Sequence, residues 1–213
     1  MKYLFYCIAC ISCLLPQIAF AHVPQYVETN AIAIEDTYAQ QAFYGILDNE
    51  PHVYTFESKR PFDLSMSLFI PDVPEARTDI SALIEATSTN IMFSNQLLGN
   101  THTWTPYRES FTNDMYLYGP TFKEFMPIGT YTITVSAPDN VGPYVLVIGG
   151  KDPFFLHDSW ETFTTLPKIK KHFFHTSTLS AYTNIFGIIA IVLIVFSCGV
   201  LWTGWFIYRK IKT

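Results

Sequence analysis

A stretch of 24 residues near the C-terminus, Ile185 to Tyr208, is apolar apart from Ser197, Cys198, Thr203 and three glycines. As an α-helix rising ~1.5 Å per residue it would reach about 36 Å, enough to cross a bilayer with some tilt. A buried helix of a soluble domain would keep a polar face, and this stretch has none. Basic residues dominate the tail that follows, residues 209–213. The positive-inside rule therefore predicts one transmembrane helix, residues 185–208, with a cytoplasmic C-terminus.

Residues 1–21 have the composition of a cleaved export signal. Lys2 precedes an apolar run from Tyr3 to Leu15, and Ala19-Phe20-Ala21 matches the small-x-small pattern at which signal peptidase cleaves. An uncleaved N-terminal anchor is the alternative, but the apolar run is shorter than the roughly 20 residues that a bilayer requires. Cleavage would leave His22 as the first residue of the mature chain.

All four cysteines lie outside the segment that remains for a folded domain. Cys7, Cys10 and Cys13 belong to the export signal, and Cys198 belongs to the C-terminal apolar stretch. Lipidation at Cys10 or Cys13 is an alternative, but the residue three positions before each is cysteine instead of leucine. The sequence between signal and anchor therefore excludes disulfides, thiolate catalysis and cysteine-ligated metal.

Alternation of apolar and polar residues predicts an all-β domain over residues 41–155. Residues 64–70 and 131–136 alternate with period two, and Pro143–Ile148 forms a further strand. The runs 131–136 and 143–148 flank the turn residues 139–142, which predicts a hairpin. Further candidate strands are Tyr54–Glu57, Phe43–Leu47, Ala82–Ala86, Asn90–Phe93 and Tyr116–Tyr118. Seven or eight short strands favour an antiparallel β-sandwich with a jelly-roll-like layout.

Two further segments flank the predicted sandwich. Residues 22–40 form a polar N-terminal arm, and residues 156–184 form a basic and aromatic juxtamembrane stem. Within the stem, residues 157–175 combine aromatic side chains with lysines and histidines, so we expect them to contact membrane lipid at the outer interface; a plain tether is the alternative. One long connection, Asn95–Asp114, is long enough to suggest a functional loop.

Charge is distributed unevenly along the chain. Residues 22–161 hold six Lys and Arg residues against all 18 Asp and Glu residues, a formal net charge of −12, whereas residues 162–213 hold six basic residues and no acid. An acidic surface repels nucleic acid and attracts cations or basic protein partners. Solubility alone is the other explanation of this charge.

Two resemblances follow from particular motifs. The runs Gly129–Val135 and Gly142–Gly149, joined through Pro138-Asp139-Asn140, are similar to the closing hairpin of bacterial pre-peptidase C-terminal domains, which are β-sandwiches. More broadly, the chain resembles an uncharacterised group of single-pass bacterial envelope proteins. Its matching motifs are His22-Val23-Pro24, Pro71-Asp72-Val73-Pro74, Tyr107-x-Glu109-x-Phe111 and Tyr118-Gly119-Pro120-x-Phe122. This resemblance implies the architecture and assigns no activity.

Two metal sites are candidates. The amine and imidazole of a mature N-terminal His22 could bind copper together with His52 or His102, although an N-terminal histidine is commonly an incidental product of cleavage. A calcium site could use the oxygens of four residues in two loops, and turn formation is the alternative role for such residues. These residues are Glu109, Asp114, Asp139 and Asn140.

No motif of nucleophilic, zinc-dependent or nucleotide-dependent catalysis occurs in the sequence. The sequence therefore favours a binding or structural module held at the outer face of a bacterial cytoplasmic membrane. A copper-handling or redox protein using His22 is the main alternative, and a membrane-tethered hydrolase is a further one.

Overall fold

The computed structural model describes residues 23–36, 40–87, 92–109, 113–149, 165–178 and 180, together with residues 191–192, 195–199, 202–203 and 209. This part of the chain is mostly β. Its strands are β1 (Val23–Tyr26), β2 (Ala31–Ala33), β3 (Gln41–Asp48), β4 (His52–Ser58), β5 (Phe62–Pro71), β6 (Ser81–Ala86), β7 (Ser94–Leu97), β8 (Thr105–Arg108), β9 (Met115–Met126), β10 (Gly129–Ser136) and β11 (Val141–Ile148).

The strands form two sheets that pack face to face. One has six strands in the order β1-β3-β11-β5-β9-β8, and the other has five in the order β2-β4-β10-β6-β7. Both sheets are mixed, because β1 runs parallel to β3 and β2 runs parallel to β4. The purely antiparallel sandwich that we expected is therefore corrected: residues 22–40, predicted to be an arm, contribute one parallel strand to each sheet.

Period-two alternation places one apolar face of each central strand in the core. Ile133 and Val135 of β10 are fully buried, as the alternation predicts. Aromatic side chains also fill the space between the sheets: the rings of Phe43 and Tyr54 meet edge to face at 5.1 Å, and those of Phe56 and Tyr131 stack at 5.3 Å. Such ring pairs stabilise a core beyond the area they bury.

The predicted hairpin between β10 and β11 is wrong. β10 lies in the five-stranded sheet and β11 in the six-stranded sheet, so the connection crosses from one sheet to the other. Asn140 and Gly142 adopt positive φ angles of 50° and 127° at this connection. A turn that reverses the chain within a sheet and an arch that joins two sheets use the same turn-forming residues, so local sequence does not separate them.

The structure also decides which face of β11 points into the sandwich. Tyr144, Leu146 and Ile148 belong to the core between the sheets. Val145 and Val147 point to the opposite side and are buried in a second cluster on the outer face of the six-stranded sheet. Both faces of β11 are therefore covered. This explains why apolar and polar residues do not alternate along the strand, and why the sequence does not show which face points inward.

A helix within the predicted stem covers the outer face of β11. Residues 165–172, here named the stem helix, are helical. Leu166, Ile169, Lys170 and Phe173 are buried, and their spacing of three and four residues puts them on one side of the helix. After the helix, His175 adopts a φ of 52°, and the backbone amide of Thr176 donates to the carbonyl of Lys170 at 3.0 Å.

The predicted export signal, residues 1–21, lies outside the described residues, as does most of the predicted anchor, residues 185–208. The described positions 191–192, 195–199 and 202–203 of the anchor are helical. In the part of the chain that the structure describes, no single helix is both long and apolar enough to span a membrane.

Candidate binding surface on the six-stranded sheet

Four aromatic side chains lie together on the outer face of the six-stranded sheet and are here named the aromatic platform: Phe69, Tyr107, Tyr116 and Tyr118. Tyr107 lies opposite Tyr116, and Phe69 lies opposite Tyr118, in neighbouring strands. Directly opposite residues share one face of a sheet, so the four rings meet. The ring centroid of Phe69 lies 5.4 Å from that of Tyr107, 5.0 Å from that of Tyr118 and 6.5 Å from that of Tyr116.

Part of the aromatic platform is open to solvent. Tyr107 is 43% exposed and Tyr118 is 36% exposed, whereas Tyr116 is buried. Single exposed apolar residues are common on proteins, whereas a contiguous group of exposed rings is a candidate interaction surface. These rings are carried by strands and not by a loop, so their positions are set before any partner arrives.

Three tyrosines of this face, Tyr44, Tyr107 and Tyr116, have raised pKa values and are uncharged at physiological pH. Burial raises the pKa of Tyr107, and the nearby Glu109 carboxylate raises it further. Burial also raises the pKa of Tyr44 and Tyr116 well above the usual value, and these two side chains are hydrogen-bonded to each other. The exposed phenol of Tyr107 can therefore donate and accept hydrogen bonds without introducing a charge.

The stem helix covers the part of the same face next to the platform. Ile169 and Phe173 pack with Ala42, Val145 and Val147 of the sheet. We had expected the apolar side chains of residues 157–175 to lie in the membrane interface; these two bury against the sheet instead.

Aromatic contacts join the stem directly to the platform and its neighbours. The ring of Phe173 lies 5.5 Å from that of Tyr44, and the ring of Phe174 lies 5.2 Å from that of Tyr116. Because Tyr116 belongs to the aromatic platform, the covered and the open parts of the face form one continuous surface.

Polar contacts hold the stem helix at both of its edges. Lys170 Nζ lies 2.5 Å from Asp114 Oδ1, and both side chains are almost fully buried. On the exposed side, Lys168 Nζ lies 2.8 Å from Glu28 Oε1, and the hydrogen bond from Lys168 lowers the pKa of Glu28. The stem helix is thus fixed to the sheet by one buried ion pair and one exposed ion pair, the second of which contributes little stability.

Of the residues predicted for copper, the structure describes His52 and His102, which lie in different parts of the fold. His22 lies outside the described residues. His52 is buried at the start of β4, where its Nδ1 lies 2.7 Å from the hydroxyl of Tyr144, and that hydroxyl lies 2.6 Å from the hydroxyl of Tyr54. His102 lies in the loop before β8, with its ring edge to face with Trp104. His52 therefore uses one ring nitrogen in a core hydrogen-bond network.

The residues predicted for calcium divide into two separate pairs. Asp139 and Asn140 accept backbone hydrogen bonds within the β10–β11 connection, and Asp139 is also 2.8 Å from Arg77. Glu109 and Asp114 flank the loop between β8 and β9, where the amide of Glu109 donates to the carbonyl of Asp114. Among the described residues, no three His, Cys, Asp or Glu side chains are grouped so that they could hold a metal ion.

Sequence reasoning missed the aromatic platform, although a signal for it was present. Tyr107 and Tyr118 belong to two of the sequence motifs, and alternation in β5 already places Phe69 on the outward face of its strand. Alternation does not determine the register in which β8 pairs with β9 and β9 pairs with β5.

No model of a known protein family matches this chain, and comparison with curated proteins gives no match either. Among solved structures, the chain is similar to the pre-peptidase C-terminal domain of a collagenase from Bacillus anthracis. The similarity covers 56% of this chain and 92% of that domain, with 13% sequence identity and a TM-score of 0.34.

Proposed function

We propose that this chain is a membrane-anchored binding module of the bacterial envelope, which uses the aromatic platform to hold a protein partner outside the cytoplasmic membrane. The observation that carries the proposal is the contiguous exposure of Tyr107 and Tyr118 around Phe69 on a rigid sheet. Tyrosine is enriched in protein interfaces because it offers a large apolar area and a polar tip at low entropic cost.

Charge suggests the chemistry of the partner. The segment of residues 22–161 has a formal net charge of −12, which would attract a basic protein surface and accelerate its association. Lysine and arginine side chains also bind favourably over the faces of tyrosine rings. A partner that presents a basic segment matches both the acidic character of residues 22–161 and the exposed tyrosine rings.

The proposed topology supports this role. Cleavage after residue 21 would release the mature N-terminus outside the membrane, and residues 185–208 would anchor the chain. From β1 to β6, successive strands alternate between the two sheets, which supports assignment of the domain as a jelly-roll-like sandwich. The stem helix would then connect a compact binding domain to its anchor.

Site-specific photo-crosslinking in living cells tests the proposal. A photoreactive phenylalanine analogue would replace Tyr107 or Tyr118 in the full-length protein, and matched controls would carry it at Glu57 or Thr132 on the five-stranded sheet. We expect a defined protein adduct from positions 107 and 118 that weakens at high salt, and none from the controls. Equal labelling at all four positions, or no adduct at positions 107 and 118, would overturn the proposal.

A further inference from the structure

Lys170 and Asp114 form the most buried ion pair among the described residues. Lys170 is 5% exposed and Asp114 is 9% exposed, and the Nζ–Oδ1 distance is 2.5 Å. The second carboxylate oxygen of Asp114, Oδ2, is buried and accepts no hydrogen bond from the part of the chain that the structure describes. A buried ion pair is normally stable only when its remaining lone pairs are also satisfied, so this pair is incompletely compensated.

The surroundings of the pair are aromatic. Lys170 Nζ lies 6.0 Å from the ring centroid of Phe174, and Asp114 lies close enough to Tyr44 and Tyr116 for its charge to act on both hydroxyls. Glu109, whose backbone amide donates to the carbonyl of Asp114, acts on the same two tyrosines. A low-dielectric setting of this kind penalises separated charges and favours a neutral product.

The domain also lacks the usual covalent cross-link of exported proteins. Residues 22–178 contain no cysteine, so no disulfide can join the stem helix to the sheet. Lys170 and Asp114 connect these two elements and are 56 residues apart in the chain. A bond between them would close a long loop at the point where the domain meets its proposed anchor.

We propose that Lys170 and Asp114 form an intramolecular amide bond that fixes the stem helix covalently to the six-stranded sheet. One proton passes from the ammonium of Lys170 to the carboxylate of Asp114, which produces a neutral amine and a neutral acid. Nζ then bonds to Cγ, the bond from Cγ to Oδ2 breaks, and the departing hydroxyl leaves as water with a second proton from Nζ. No oxidant or cofactor takes part, and both buried charges disappear.

The close approach of the two groups accelerates formation of the amide bond. The carboxyl carbon is one bond away from an oxygen that already touches Nζ, and groups held in this way react as if at very high concentration. The unpartnered Oδ2 is the oxygen that leaves, so its departure breaks no hydrogen bond within the described residues.

The test compares intact masses of full-length protein purified in detergent and then denatured. The matched variant is Lys170→Arg, which keeps the positive charge but has a guanidinium that stays protonated and cannot form the amide. We expect the variant to exceed the wild type by the arginine–lysine mass difference plus one water molecule. The comparison is independent of where the signal is cleaved, because both chains share that site.

Peptide mapping supplies the second measurement. Digestion of the wild type should yield a branched peptide that links the segments around Asp114 and Lys170, and Lys170→Arg and Asp114→Ala should lack it. Asp114→Asn should form the same bond with loss of ammonia, so its branched peptide should have the wild-type mass. If the wild type and Lys170→Arg differ only by the residue masses and no branched peptide occurs, the contact is an ion pair only and the proposal is wrong.

Discussion

At the residue scale, the most informative feature of the core is the hydrogen-bond network of His52, Tyr144 and Tyr54. All three side chains are buried between the sheets, and the Tyr144 hydroxyl serves as the central member. Gly45 faces the ring of Tyr144, and a Cβ atom there would overlap that ring. Glycine at position 45 thus makes room for a tyrosine that satisfies two other polar groups in the core, as buried polar atoms require.

His52 predicts a pH dependence of folding. Burial lowers its pKa below the usual 6.5, so the unfolded chain binds the proton at a higher pH than the folded domain does. The free energy of unfolding should therefore be insensitive to His52 above the unfolded pKa and should fall as the pH decreases from there through the folded pKa.

The measurement is urea unfolding of a soluble fragment, residues 22–178, at pH values from about 7.5 down to about 5. The variant His52→Gln provides the control, because it retains the contribution of every carboxylate. We expect the wild-type stability to decline more steeply than that of the variant. A constant difference between the two over this pH range would contradict the assignment.

At the element scale, β10 is the centre of the five-stranded sheet. Ile133 is fully buried and lies opposite Tyr54 on one side and Ile84 on the other. Ile133→Ala should lower the free energy of unfolding by about 2–5 kcal/mol, because it leaves a cavity in a packed core. Urea unfolding of the 22–178 fragment measures this loss.

A matched control for Ile133→Ala is Thr132→Ala, which changes the neighbouring residue on the outer face of the same strand. Its effect should be much smaller. Dithiothreitol should leave both unfolding curves unchanged, because residues 22–178 contain no cysteine. If Ile133→Ala is as stable as the parent, the assignment of this strand to the packed core is wrong.

The stem helix is the second element with a testable role. Phe173 is fully buried and contacts the rings of Tyr44 and Tyr26. Phe173→Ala should weaken docking by roughly 3–5 kcal/mol, the usual cost of removing a buried phenylalanine ring. Hydrogen exchange should then show faster exchange of the stem-helix amides, while the central strands keep their protection. The exposed Lys171 provides the control: Lys171→Ala should leave the exchange pattern unchanged, and an equal response to both variants would argue against docking.

At the scale of the whole molecule, the proposed topology predicts a protease footprint. Proteinase added outside spheroplasts should digest the domain and spare a small C-terminal fragment, because lipid would shield residues 185–208. Detergent should abolish this protection. Protection of the entire domain in intact spheroplasts would reverse the proposed orientation.

Prediction from sequence succeeded where one face of a strand is covered and failed where both faces are covered. Alternation correctly placed Ile133 and Val135 in the core, because the outer face of β10 carries threonine and serine. Alternation did not show which face of β11 points inward, because Val145 and Val147 on its outer face are also apolar and are buried by the stem helix. The spacing of Leu166, Ile169 and Phe173 indicates an amphipathic helix. The surface that covers it belongs to strands far away in the chain, so the local sequence does not identify that surface.

Local sequence was sufficient to predict that the domain is mostly β, that residues 22–178 have no cysteine, and that acidic and basic residues are segregated. These properties depend on residue type and short-range periodicity. Only long-range contacts placed β10 and β11 in different sheets and paired β1 with β3 and β2 with β4 in parallel. They also brought together Phe69, Tyr107 and Tyr118, and placed Lys170 against Asp114. Each of these outcomes depends on the register and contact of segments far apart in the chain, which local hydrophobic patterning does not specify.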